Sequence, residues 1–175
     1  MIETLKKFCA AADGSRINLH PWSKGEYSYA TNGHIIARVP RLADVPERDG
    51  ALSTDYLFPY ADPPAWFALS DIELAKVKTV DCSECDGDGE VRHEECPDCD
   101  GHPCPDCDGT GKVTPMQPVA VGNSHYQLAY LLILKALPNC KIGPNVNPMY
   151  QAPFTFDGGD GLLMPMKPFG EWSKV

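Results

Sequence analysis

Apolar residues recur at helical spacing at the start of the chain. Ile2, Leu5, Phe8, Cys9 and Ala12 share one face, which predicts a short helix over residues 2–12. Asp13-Gly14 ends it, and residues 15–39 alternate as strands do. Within them, 27–31 and 35–39 flank Asn32-Gly33, the strongest short hairpin signal. Residues 40–68 carry Pro40, Pro46, Pro59, Pro63 and Pro64 and read as irregular. Ser70 and Glu73 have capping-box spacing ahead of Leu74 and Val77, predicting a brief helix there. The strongest helical expectation covers residues 124–137, with Ser124 as N-cap and Pro138-Asn139 as the stop. Only His125, Gln127 and Lys135 are distinctly polar within it, so it is expected to be buried on more than one side. The last part of the chain reads as two strands, 152–156 and 162–166, joined by a turn at 157–161.

A different pattern interrupts this one. Cys82-Ser-Glu-Cys85-Asp-Gly87-Asp-Gly89, Cys96-Pro-Asp-Cys99-Asp-Gly101 and Cys104-Pro-Asp-Cys107-Asp-Gly109-Thr-Gly111 repeat one motif three times. Two thiolates spaced C-x2-C on a tight turn chelate one Zn2+ from one side, and a second pair completes a tetrahedron. The glycines that follow supply positive-φ freedom for the backbone to fold back on the sulfurs. A single C-x-x-C would fit a redox dithiol equally well; three with trailing glycines point to structural zinc.

Charge sharpens the role of this segment. The chain has a formal net charge of −9, and residues 81–113 hold eleven acidic residues against Arg92 and Lys112. Four thiolates around one Zn2+ would add two more negative charges. Phosphate backbones are bound through Lys and Arg, so the segment is expected to avoid nucleic acid and to offer a protein partner an acidic knob. The amino terminus lacks the charged and apolar regions of a signal peptide. No run of about 18 apolar residues is present to span a membrane. A cytoplasmic protein with reduced thiols is the expectation.

The three repeats resemble the cysteine-rich domain of DnaJ-type co-chaperones, which has four C-x-x-C-x-G-x-G repeats and two zincs. The likeness covers about 30 residues and includes no J-domain signature. It implies that Cys82, Cys85, Cys104 and Cys107, from the two complete repeats, share one zinc. The middle pair, Cys96 and Cys99, is flanked by His93 and His102, and this quartet could form a second site. Two alternatives stand beside it: both histidines face solvent, or Cys82 and Cys85 pair with Cys96 and Cys99. One or two Zn2+ per chain are expected.

The remainder resembles bacterial β sliding clamps. Tyr29-Ala-Thr-Asn-Gly-His-Ile-Ile-Ala-Arg-Val-Pro40 is similar to the clamp segment A-T-D-G-H-R-L-A-x-x-x-P, and Gly161-Leu-Leu-Met-Pro-Met-Lys167 to its closing strand. Residues 123–137 and 5–13 are similar to its two inner helices. Asn32 and Ile35 depart from the motif's aspartate and arginine. The resemblance implies an α+β fold: one sliding-clamp-like domain of two helices on a curved antiparallel sheet, built from 1–80 and 114–175, with the zinc module inserted at 81–113.

No nucleophile motif surrounds His20, His34, His93, His102 or His125, and the glycines at 158, 159 and 161 do not lead from a strand into a helix as a phosphate loop does. Cys9 and Cys140 read as buried free thiols. The aromatic run Tyr56, Phe58, Tyr60, Trp66 and Phe67 fits loop packing or a peptide groove. The expectation is a non-enzymatic zinc protein for protein interaction or replication accessory work, of a kind found in phages and mobile elements. It would self-associate through the 124–137 helix. The alternatives are an oligomeric DNA-encircling processivity factor and a chaperone-like or thiol-redox protein.

Overall fold

The computed structural model describes residues 1–9, 20–48, 54, 57–58, 60–91 and 101–167. The chain divides into two compact units, Met1–Leu74 with Pro118–Val175, and Ala75–Gln117.

In the first unit, α1 (Ile2–Lys6) is followed by β1 (Trp22–Lys24), β2 (Tyr27–Thr31), β3 (Ile35–Pro40) and β4 (Phe67–Ala68). The second unit contributes β5 (Val80–Asp81), β6 (Glu90–Val91), β7 (His102–Pro103) and β8 (Lys112–Val113). The chain returns through β9 (Pro118–Val121), β10 (Ser124–Gln127), α2 (Leu128–Lys135), β11 (Lys141–Ile142), β12 (Ala152–Phe156) and β13 (Gly159–Leu163). Seven strands form one antiparallel sheet in the order β1-β2-β3-β13-β12-β11-β4, and β9-β10 is a separate hairpin.

Period-two alternation gives the sheet a core on each face. On β3, Ile35, Ala37 and Val39 join Leu5, Phe8, Leu131, Leu134, Phe154 and Leu163 in the larger core. Ile36, between them, joins Trp22, Tyr29, Phe58 and Leu162 in the smaller. Phe154 is fully buried and stacks on Phe8 and Phe156 at centroid distances of 6.0 and 6.2 Å. Its cross-strand partner is Gly161, where a Cβ would overlap the Phe154 ring. On the other face, Arg38 lies over the Tyr27 and Phe58 rings at 4.5 and 4.0 Å. It also grips Asp160 through two hydrogen bonds of 2.8 and 3.0 Å.

Tyr60 completes this group. Its hydroxyl is pushed up to about 12, first by burial and then by the Asp160 carboxylate to which it donates. An unfolded tyrosine ionises near 10. The folded state therefore holds this proton more tightly, so the stabilisation is intact below about pH 10 and is lost as pH rises towards 12. Urea unfolding across this range is expected to show that loss in the parent chain. It should be smaller in Tyr60→Phe, whose absorbance titration also lacks the latest tyrosinate.

The clamp-type expectation of two helices on a sheet is not met. Strand dominates, α1 is five residues long and α2 eight, and the fold is a small β-rich domain. The predicted helix over 2–12 covers Ile2–Lys6, and residues 10–12 lie outside the described residues. The helix expected from 124 begins at Leu128. Ser124–Gln127 is instead a strand paired with Pro118–Val121. Ser124 and Tyr126 point inward while His125 and Gln127 are half-buried, a strand alternation that the apolar run beginning at Leu128 masked. Ser70 opens no helix: Leu69–Asp71 is a single 3-10 turn, and Ile72 is already extended. Of the aromatic run, Phe58 is buried and Tyr60 packs beside it, Trp66 and Phe67 are 38% and 36% exposed, and Tyr56 lies outside the described residues.

Candidate metal centre

Two turns, 82–89 and 104–111, repeat one backbone course 22 residues apart. In the first, Gly87 N–H donates to the Cys82 carbonyl at 3.0 Å and Asp88 N–H to that of Cys85 at 2.9 Å. In the second, Gly109 N–H donates to Cys104 at 3.1 Å and Thr110 N–H to Cys107 at 3.0 Å. Asp86 and Asp108 have φ of 50° and 52°, the left-handed region that aspartate tolerates better than most residues. These aspartates were legible in the sequence, since each follows the second cysteine of its pair, but they read there only as charge.

The turns lock together reciprocally. Cys82 N–H donates to the Gly111 carbonyl at 2.9 Å, and Cys104 N–H to that of Gly89 at 2.8 Å. Strand β5, before the first turn, pairs with β8 after the second, and β6 pairs with β7. Lys112 and Asp81 form an ion pair across the β5–β8 stem. The result is a pseudo-twofold unit with Cys82, Cys85, Cys104 and Cys107 at its centre, all buried, and Val91 and Val113 packed against them.

The sulfurs have metal-site spacing. Cys82 to Cys104 and Cys85 to Cys107 are each 3.8 Å apart, and all four lie within 4.8 Å of one another. A zinc–sulfur bond of about 2.3 Å in a tetrahedron gives an edge of about 3.8 Å. A disulfide needs about 2.05 Å, and all four cysteines are free. Gly89 N–H donates to Cys85 Sγ and Gly111 N–H to Cys107 Sγ, both at 3.2 Å. Burial pushes the Cys82 and Cys104 thiols up, Cys104 to about 12. At Cys107 the same burial is outweighed by the Gly111 amide and the neighbouring thiols, which bring it below its ordinary value. Four buried sulfurs at this spacing could hold a metal ion, whose charge would offset the cost of ionising them together.

Gly89 and Gly111 are held to glycine twice over. Their φ values are 82° and 69°, and a Cβ on Gly111 would run into the Gly87 carbonyl oxygen. Backbone strain of about 1–3 kcal/mol corresponds to a loss of about 5- to 150-fold in affinity. Gly111→Ala is expected to lose metal to a competing chelator at concentrations lower by that order, while Ser83→Ala, exposed on the first turn, stays near the parent.

The structure thus brings the first and third C-x-x-C pairs together. His102 lies exposed on β7, paired with Val91, outside the four-sulfur cluster. His93, Cys96 and Cys99 lie outside the described residues. No helix among the described residues is long and apolar enough to cross a membrane. No protein-family model, curated protein or solved structure matches the chain. What fold and site define is a small β-rich domain carrying a buried four-cysteine unit able to hold a metal ion.

Proposed function

We propose that this chain is a non-catalytic zinc-binding interaction protein, in which one Zn2+ on Cys82, Cys85, Cys104 and Cys107 shapes an acidic knob that docks on a protein partner. The observation that carries it is the four-sulfur cluster at tetrahedral spacing, closed off by two N–H···S hydrogen bonds. Amide hydrogen bonds and burial lower the nucleophilicity of such sulfurs, which favours a structural ion over the thiol-redox alternative. The Cys140 thiol, pushed up to about 12 by burial, is likewise a poor nucleophile. The module's likeness to DnaJ-type cysteine-rich domains agrees with a structural zinc.

Asp81, Glu84, Asp86, Asp88, Glu90, Asp106 and Asp108 are all exposed on the described part of the unit. Their field favours a basic protein surface and disfavours a phosphate backbone. Self-association through α2 has less to work with, because Leu128, Leu131 and Leu134 are buried within the chain's own unit, and the half-buried Tyr130 and Ile133 also pack against its core.

The test uses two probes, a lysine-rich unstructured peptide and a DNA duplex, each titrated at low and physiological salt. The peptide is expected to bind with strong salt dependence. Glu84→Gln, Asp86→Asn, Asp106→Asn and Asp108→Asn combined should remove that binding while keeping the metal. Saturable duplex binding at low salt, or no peptide binding, contradicts the reading and returns attention to a DNA-encircling oligomer.

A further inference from the structure

We propose that His34, His125, Met164 and Met166 form a second, surface metal site, selective for a soft monovalent ion such as Cu(I). It lies in the sheet unit and is independent of the four-cysteine cluster.

The placement follows from backbone register. Leu163 at the end of β13 pairs with Ile35, and the ladder continues one residue further, where Met164 N–H donates to the His34 carbonyl at 2.9 Å. Two residues on, Met166 N–H donates to the His125 carbonyl at 2.7 Å, and these two residues form an antiparallel bridge. Directly opposed residues in an antiparallel pair put their side chains on one face, with Cα atoms about 5.5 Å apart. Residues two apart along an extended chain share a face at a spacing of about 7 Å. The two His–Met pairs are therefore neighbours on a single patch, continuing the row that begins with Ile36 and Leu162. His34 and Met164 are exposed, and His125 and Met166 are half-buried. The patch is open to an ion from solvent.

The turn beneath His34 is fixed rather than loose. Asn32 Oδ1 accepts from the His34 and Ile35 amides at 3.0 and 3.2 Å, and Asn32 Nδ2 donates to the Tyr130 hydroxyl at 3.3 Å. The His34 ring lies 6.1 Å from the Tyr130 ring.

The donor set selects the metal. Two thioethers and two neutral imidazoles carry no charge. Thioethers are soft ligands that favour Cu(I), whereas Zn2+ draws on thiolate, imidazole and carboxylate. Methionine's unbranched side chain has the freedom to bring two sulfurs onto one ion across this spacing. The two centres divide along chemical lines, with thiolates for a divalent structural ion and thioether–imidazole for a monovalent one.

The four cysteines will also take Cu(I), so the readout has to be specific to residues. Zinc-loaded full-length chain labelled at the methionine methyls gives one signal for each of its five methionines. Anaerobic Cu(I), added as its acetonitrile complex, is expected to move Met164 and Met166 together. The response should saturate within one equivalent beyond those the cysteines take, leaving Met1 and Met149 in place. Added Zn2+ should move neither Met164 nor Met166. His34→Ala should weaken the shared response by at least about tenfold, the lower end of what loss of even a supporting group costs a metal site. An unmoved Met149 signal in that variant reports an intact fold, and the isosteric Met164→Leu gives the same test without touching the turn. Unmoved Met164 and Met166 signals in the parent chain overturn the site. So does an equal response to Zn2+, or one that His34→Ala and His125→Ala both leave intact.

Discussion

Cys104→Ser is expected to leave residues 75–117 unfolded and metal-free, while the sheet unit keeps its own cooperative transition. Cys104 is fully buried and stands 3.8 Å from its partner sulfur on Cys82. Among the described residues, the apolar side chains packed on the cluster are Val91 and Val113, and the two supporting sheets have strands of two residues. Such a unit has far too little apolar surface to offset the conformational entropy of its chain. Structural zinc contributes an apparent 10–16 kcal/mol, roughly, in small zinc domains at neutral pH. On the proposed zinc centre, loss of one of the four sulfurs is therefore expected to be decisive. Chelator treatment of the parent chain should have the same effect. Hydrogen exchange reads it directly: the Cys82 and Cys104 amides, which bridge the two turns, lose protection, while those of β3 and β13 keep theirs. Persistent protection of both bridging amides in metal-free protein would show that the unit folds on backbone contacts alone.

Phe154→Ala is expected to be the most damaging substitution in the sheet unit, at about 3–5 kcal/mol. The ring is fully buried, stacks between Phe8 and Phe156, and fills the space that Gly161 leaves open on the adjacent strand. Truncation opens a void beside Gly161, which has no side chain to fill it. The thermal midpoint of this unit should fall by about 10 °C or more. Calorimetry checks it, with the module's amide protection serving as an internal control. A fall of less than about 3 °C would mean that the two aromatic neighbours close over the gap.

The four clustered cysteines were legible because their chemistry is written in local spacing. C-x2-C followed by glycines fixes a turn within eight residues, and the structure gives both complete repeats that turn. The Asn32-Gly33 hairpin was legible for the same reason, with Tyr27–Thr31 and Ile35–Pro40 on either side. What periodicity could not supply was the sheet's outer part. Strands β4 and β11 are two residues each, too short to show alternation. They pair only because the chain returns to them across more than 70 residues. The helix boundary was misread where Ser124–Gln127, four residues of strand alternation, runs directly into an apolar stretch. The likeness to clamp motifs did not extend to the architecture. Where two inner helices were expected, the described residues form one helix of five residues and one of eight.

The central claim is one zinc ion on four named sulfurs. Native mass spectrometry of the purified chain, with cysteine alkylation mapped before and after denaturation, tests it most directly. The expected result is one zinc per chain, with Cys82, Cys85, Cys104 and Cys107 unreactive until the metal is removed and then all four alkylated together. A metal-free chain with those cysteines readily alkylated in the folded state, or a zinc that survives Cys82→Ser combined with Cys104→Ser, would contradict it.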